Sequence, residues 1–208
     1  MTERANSDPK VVAAKQARLT ELHVEPIVAL ANEIADSQGL PLGAVPYPDP
    51  GFGGVHARAL VLLETPTVRS AARTGTTQSH RASALLSIEN NDVTAANCHR
   101  AYRAAGLDPR WTLHWNVAPW PTPNETLAYV AEARPWLARL FDLLPDLKVV
   151  VTMGDIARDA WLRALGESSE LPLLPTLHAP HSSARGLLHS GSYERLAAVF
   201  GRVAEIVQ

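Results

Sequence analysis

The chain is predicted to be an α/β protein, a three-layer α/β/α arrangement around a central, mainly parallel four-stranded sheet. Continuous apolar runs occur at Arg58 to Glu64 (RALVLLE), Trp111 to Val117 and Asp146 to Met153 (DLKVVVTM). Such runs suit parallel strands covered by helices on both faces. Segments of helical period separate them, the alternation expected of parallel crossovers. Three polar islands close apolar stretches: LLETPT at 62 to 67, WNVAPW at 115 to 120 and HAPHSS at 178 to 183. In an open parallel sheet these carboxyl ends share one edge, which would gather Glu64, Asn116 and His181.

Taken in order, residues 8 to 37 alternate at helical spacing, with Val11, Val12, Leu19, Leu22, Ile27, Leu30 and Ile34 as the expected buried stripe. Pro26 is expected to divide this stretch into two helices. Residues 38 to 54, rich in Pro and Gly, predict a long irregular segment. After the first strand, residues 67 to 83 are small, polar and basic, which predicts a loop. Asp92 or Asn91 can cap a helix ending at Gly106. Thr122 or Asn124 can begin the next, with a kink at Pro135. Gly154 opens a helix carrying Ile156, Ala157, Ala160, Trp161 and Leu165 on one face. Leu171 to Leu177, broken by prolines, suits a sheet edge, and Ser190 or Ser192 can cap the final helix.

A chain of 208 residues can build one well-cored domain and is short for two. We expect a loosely attached helical arm over residues 1–40 and an α/β domain over 41–208. The charges nearly cancel, 19 Lys and Arg against 21 Asp and Glu, so the total points to no nucleic-acid partner. Locally, Arg69, Arg73, Arg81, Arg100, Arg103 and Arg110 outnumber Glu89, Asp92 and Asp108. That surplus fits either a solvated face or phosphate contacts.

Cys98 is the only cysteine, which excludes an intramolecular disulfide, a Cys-rich zinc site and a four-thiolate iron–sulfur cluster. A reducing cytoplasm fits. MTERANSDPK has no apolar core behind it, and no stretch suits a bilayer, so neither export nor membrane insertion is expected. VTMGDIA at 151 to 157 lacks the glycine spacing of phosphate-binding loops and reads as a tight turn. No HExxH occurs, and His178 with His181 lies in a Pro-containing loop, so no metal is expected. Ser182 and Ser183 sit in no GxSxG elbow.

Together, in this order and placement, the islands resemble motifs of the uracil-DNA glycosylase superfamily over about residues 45 to 205. LETPT at 63 to 67 resembles a first motif of the type GEAPG, with Glu64 and Pro66 retained but Leu63 and Thr67 where glycines are usual. WNVAPW resembles the strand that presents a uracil-reading asparagine, here Asn116. APHSS resembles the HPS motif, with His181 and Ser183 retained and Ser182 replacing proline. SIENNDVTAAN at 87 to 97 adds to the likeness.

The resemblance implies hydrolysis of the bond between a flipped base and deoxyribose, without metal, nucleotide or redox cofactor. Glu64 and His181 would be catalytic, with Asp49 and Asp92 as alternative carboxylates. Asn116, Pro66, Leu85, Phe52 and Ser183 would contact the base. Superfamily pockets usually carry an aromatic shelf, which ALLSIEN at 84 to 90 lacks; Leu85 or Ile88 is the nearest candidate there, and Phe52 or Tyr47 could substitute. Arg69, Arg73 and Arg81 would contact phosphates, and Arg185 with Leu187 would enter the gap left by the base. The expected partner is uracil-containing or otherwise damaged DNA, bound by a monomer. Alternatives stay open at this level. Glu64 also fits a solvated strand terminus, Asn116 a strand-end hydrogen bonder, and His181 an ordinary loop histidine. The chain also fits a binding protein that cleaves nothing, or another hydrolase built on the same sheet edge.

Overall fold

A computed structural model describes residues 4–66, 83–122 and 126–208. The apolar runs form β2 (Ala59–Leu63), β4 (Thr112–Asn116) and β5 (Val149–Met153), and β6 (Thr176–Ala179) completes the sheet. Its order is β4-β2-β5-β6 with every pair parallel. The last strand stands at an edge as expected, but it begins at Thr176, after Pro172 and Pro175, and not at Leu171, because a strand gains its full ladder only beyond the prolines. A separate two-stranded parallel pair joins β1 (Tyr47–Pro48) to β3 (Leu85–Leu86). Strands this short leave no periodic signal in a sequence.

Helices form both outer layers, and side chains alternate between them along each strand. Leu60, Leu62, Leu113, Trp115 and Val150 meet α2 (Glu25–Ser37), α4 (Val130–Asp142) and α5 (Asp155–Gly166). Ala59, Val61, Val149, Val151 and Met153 meet α3 (Val93–Ala105) and α6 (Ser192–Val207). The result is the three-layer α/β/α architecture. Among the described residues, no helix is long and apolar enough to cross a membrane.

Asp92 caps α3 by accepting the Ala95 N–H at 3.0 Å, and Gly106 ends it at φ +63°. Several local expectations need correction. α1 (Pro9–Ala17) buries none of its side chains fully, and Leu22 is 91 % exposed, so the predicted stripe holds only for Ile27, Leu30 and Ile34 of α2. The stretch does divide into two helices as expected, and Pro26 lies in the first turn of the second, where its missing N–H leaves no bond unmade. α4 starts at Val130 after a 3-10 turn, Thr126–Tyr129, and continues through Pro135. Asn124 lies outside the described residues. Ile156 on α5 is exposed. Gly191, at φ +77°, holds the N-cap position of α6 in place of a serine.

The arm is also more firmly attached than expected. α2 is a full member of one helical layer. α1 is tied by polar bonds: Lys15 pairs with Asp49 at 2.6 Å, and the Gln16 amide donates to the Ser83 carbonyl at 3.3 Å.

Candidate functional site

In a parallel sheet, connections leave neighbouring strands in opposite directions at one point, and a crevice opens beyond the carboxyl ends there. Here that point lies between β2 and β5. The register pairs Leu63 with Asn116 and Leu62 with Thr152, so the strands end level. A cavity of about 250 Å³ lies at this edge. Leu63, Glu64, Asn116, Met153 and His181 line it from the strand ends, Leu86, Ser87, Ile88, Asn90 and Asp92 from the segment leading into α3, and Ala95 and Cys98 from α3 itself. The cavity brings Glu64, Pro66, Asn116 and His181 together.

Asn116 is the last residue of β4 and is 3 % exposed. Leu113 and Trp115 point to the α2–α4–α5 core, so the period of two sends His114 and Asn116 to the other face. Among the described residues, the Asn116 carboxamide makes no hydrogen bond to protein. A buried amide in that state has both donor and acceptor capacity left for a ligand.

His181 sits in the loop after β6. Its Nδ1 accepts the Ser183 backbone N–H at 3.1 Å, so the neutral ring carries its proton on Nε2. Burial lowers the His181 pKa, against the opposing pull of the Glu64 charge. The imidazole is thus held neutral with one N–H to donate. Two glycines make room for it. A Cβ on Gly186 would lie 2.1 Å from the His181 carbonyl oxygen, and one on Gly154 would lie 3.0 Å from the His181 Cβ. Gly154, at φ +89°, serves both as a turn and as clearance for this ring. From α3, the Asn97 amide donates to the Ser182 carbonyl at 2.9 Å and clamps the same loop.

Glu64 follows β2, and its Oε1 accepts the Thr126 hydroxyl at 2.9 Å. Thr126 is buried and lies 62 residues away in sequence. No local pattern in the sequence marks it as a partner of Glu64. His114, on the floor below Asn116, has its Nε2 2.7 Å from the Tyr102 hydroxyl and its ring edge-on to Phe52. Burial pushes its pKa down to about 4, so it stays neutral at pH 7. Cys98 also faces the cavity, and burial raises its thiol to about 12, which makes it an apolar wall.

The remaining expected site residues fall elsewhere or are committed to the fold. Leu85 is wholly buried within β3, and strand alternation turns its neighbour Leu86 to the cavity instead. Phe52 packs on His114 and does not line the cavity. Tyr47 donates its hydroxyl to Asn32 Oδ1 at 2.7 Å. Ser183 also stays out of the lining; it acts through its N–H on His181 and its Oγ, which accepts the Gly186 N–H at 3.1 Å. Asp49 is committed to Lys15, Ser87 and the Gly51 N–H. Asp92 lines the cavity but caps α3.

Arg185 is exposed, as a gap-entering residue must be, but Leu187 packs against the core. The exposed apolar side chain of that loop is Leu188, 74 % accessible. Thr67, Arg69, Arg73 and Arg81 lie outside the described residues. Among the described residues, no group of three or more His, Cys, Asp or Glu side chains could hold a metal ion. No protein-family model matches the chain, and no curated protein matches it in sequence.

Proposed function

We propose that the protein is a DNA glycosylase of the uracil-DNA glycosylase type, which flips uracil or a related deaminated base from DNA and hydrolyses its N-glycosidic bond. The observation that carries this reading is one cavity lined by a buried carboxamide with no hydrogen-bond partner among the described residues, a neutral imidazole with its proton on Nε2, and a carboxylate held by a hydroxyl. Uracil offers an N3 donor between two carbonyl acceptors. Asn116 can accept from N3 and donate to O4. Cytosine reverses both demands, and each buried contact left unmade costs about 1–3 kcal/mol.

As the bond between C1′ and N1 breaks, its electron pair leaves with the base and gathers on O2. The His181 Nε2–H donates to that oxygen, a contribution of about 2.7–4 kcal/mol in comparable sites. A neutral imidazole suits this role, because its N–H is a weaker acid than uracil and so hydrogen-bonds the developing anion without surrendering its proton. The sugar gains oxocarbenium character, water adds at C1′, and the proton that the water loses neutralises the departing uracil anion. Thr126 occupies Oε1 of Glu64, which leaves Oε2 to orient that water or face the cation. Arg185 and Leu188 enter the gap, and Arg69, Arg73 and Arg81 contact phosphates, so binding weakens steeply with salt. The protein acts as a monomer without a cofactor.

A second reading is a protein that holds the base without cleaving it. It draws on the described lining, where Leu86, Ile88, Met153 and Cys98 stand and no Phe, Tyr or Trp does; base–aromatic stacking is worth about 1–3 kcal/mol. Incubation with single- and double-stranded uracil oligonucleotides, scored for alkali-labile breaks, separates the two. Breaks at the uracil position that vanish in His181→Ala support the glycosylase. Tight uracil binding without breaks selects the second reading, and absence of both removes the two together.

A further inference from the structure

Residues 83–92 form a wall of the cavity with little regular structure of their own. Only Leu85 and Leu86 pair with another strand, and Ala84 sits at φ +54° without being glycine. Side-chain bonds hold the segment in shape. The Ser83 hydroxyl donates to Asn90 Oδ1 at 2.7 Å, and Asn90 Nδ2 donates to the Leu85 carbonyl at 2.9 Å. Ser87, which lines the cavity, donates to Asp49 Oδ2. Asp49 is a wholly buried carboxylate, and the ammonium that faces it, Lys15, arrives from α1 at 2.6 Å.

The N-terminal arm reaches the same wall at further points. The Asn6 N–H donates to the Glu89 carbonyl at 3.1 Å, Asn6 Nδ2 donates to Asn90 Oδ1 at 2.9 Å, and Gln16 donates to Ser83. α1 has no fully buried side chain, so apolar packing does not explain why it lies here. A buried carboxylate stripped of its cation is strongly unfavourable, which makes Lys15 the contact on which Asp49 most depends.

We propose that Lys15 and Asp49 are a positioning pair for the cavity, through which α1 fixes Ser87 and the wall that seats the base. The inference rests on the cavity being the working site described above. Lys15 touches no reacting atom. Glu64, Asn116 and His181 stand on other elements, so loss of the pair loosens how the base is seated and leaves the chemical groups in place.

The test compares wild type, Lys15→Met, Lys15→Arg and the double variant K15M/D49N in the full chain. Amide hydrogen exchange is followed across 83–92, and kcat and KM are measured on a uracil oligonucleotide. Lys15→Met is expected to speed exchange in 83–92 by about tenfold or more while β2 and β5 stay protected. KM should rise about tenfold with kcat within about twofold, and Lys15→Arg should recover most of both. K15M/D49N buries no lone charge and keeps the test open where Lys15→Met fails to fold; its wall should still exchange faster than wild type. Wild-type exchange across 83–92 in either Met-containing variant that folds overturns the proposal, as does a fall in kcat with KM unchanged. Should wild type release no uracil, the glycosylase reading falls by itself, and the exchange pattern still decides for or against the pair.

Discussion

The two faces of the sheet are built for different ends. On the α2–α4–α5 face, β4 contributes Leu113 and Trp115, and Phe141 stacks on Trp161 with ring centroids 5.4 Å apart, so large apolar side chains close the layer. On the α3–α6 face the same strand contributes Thr112, His114 and Asn116, all buried and all polar, and small residues such as Ala95 and Cys98 leave a cavity beside the last two. Burying polar groups without full compensation opposes folding. One strand thus packs a sealed core on one face and lines a cavity with polar groups on the other, and on the proposed function substitutions on the two faces should fail in different ways.

The largest effect is expected on the sealed face. Trp161→Ala should cost about 3–5 kcal/mol of stability by urea unfolding, while the folded fraction keeps its rate on uracil DNA. On the open face the order reverses. His181→Ala should lower kcat by about 10²–10³ in single-turnover assays with little change in melting temperature. Acid sharpens the contrast next. His114 titrates at about 4 when folded and near 6.5 when unfolded, so the unfolded chain binds the proton first. Its contribution is intact above pH 6.5 and declines by about 3 kcal/mol as pH falls to 4. Urea unfolding at pH 7 and pH 4 should show that decline, and His114→Gln should flatten it. The smallest effect is Thr126→Val, which should slow cleavage roughly tenfold by freeing the Glu64 carboxylate, with stability nearly unchanged.

What a sequence reveals of such a molecule depends on how local the determinant is. β2, β4 and β5 stand out because strands covered on both faces read as unbroken apolar runs, and α3 because a cap and a terminal glycine bracket it. Glu64, Asn116 and His181 could be nominated because strand ends in a parallel sheet converge. Partners joined only in space left no such trace. Thr126 meets Glu64 across 62 residues, Asp49 meets Lys15 across 34, and Gly186 matters only because His181 folds against it. The exchange of Leu187 for Leu188 as the exposed residue turns on one step of loop geometry. Leu85 and Leu86 trade places for the same reason: adjacent residues on a strand face opposite ways.

The central claim is that Asn116 and His181 read one base inside one cavity. Titration of the labelled protein with free uracil, followed by NMR at the Asn116 side-chain NH₂ and the His181 Nε2–H, tests it most directly. Both signals should shift along a single saturation curve with uracil and stay still with cytosine. Uracil that moves neither signal, or moves one without the other, in a folded protein would contradict it.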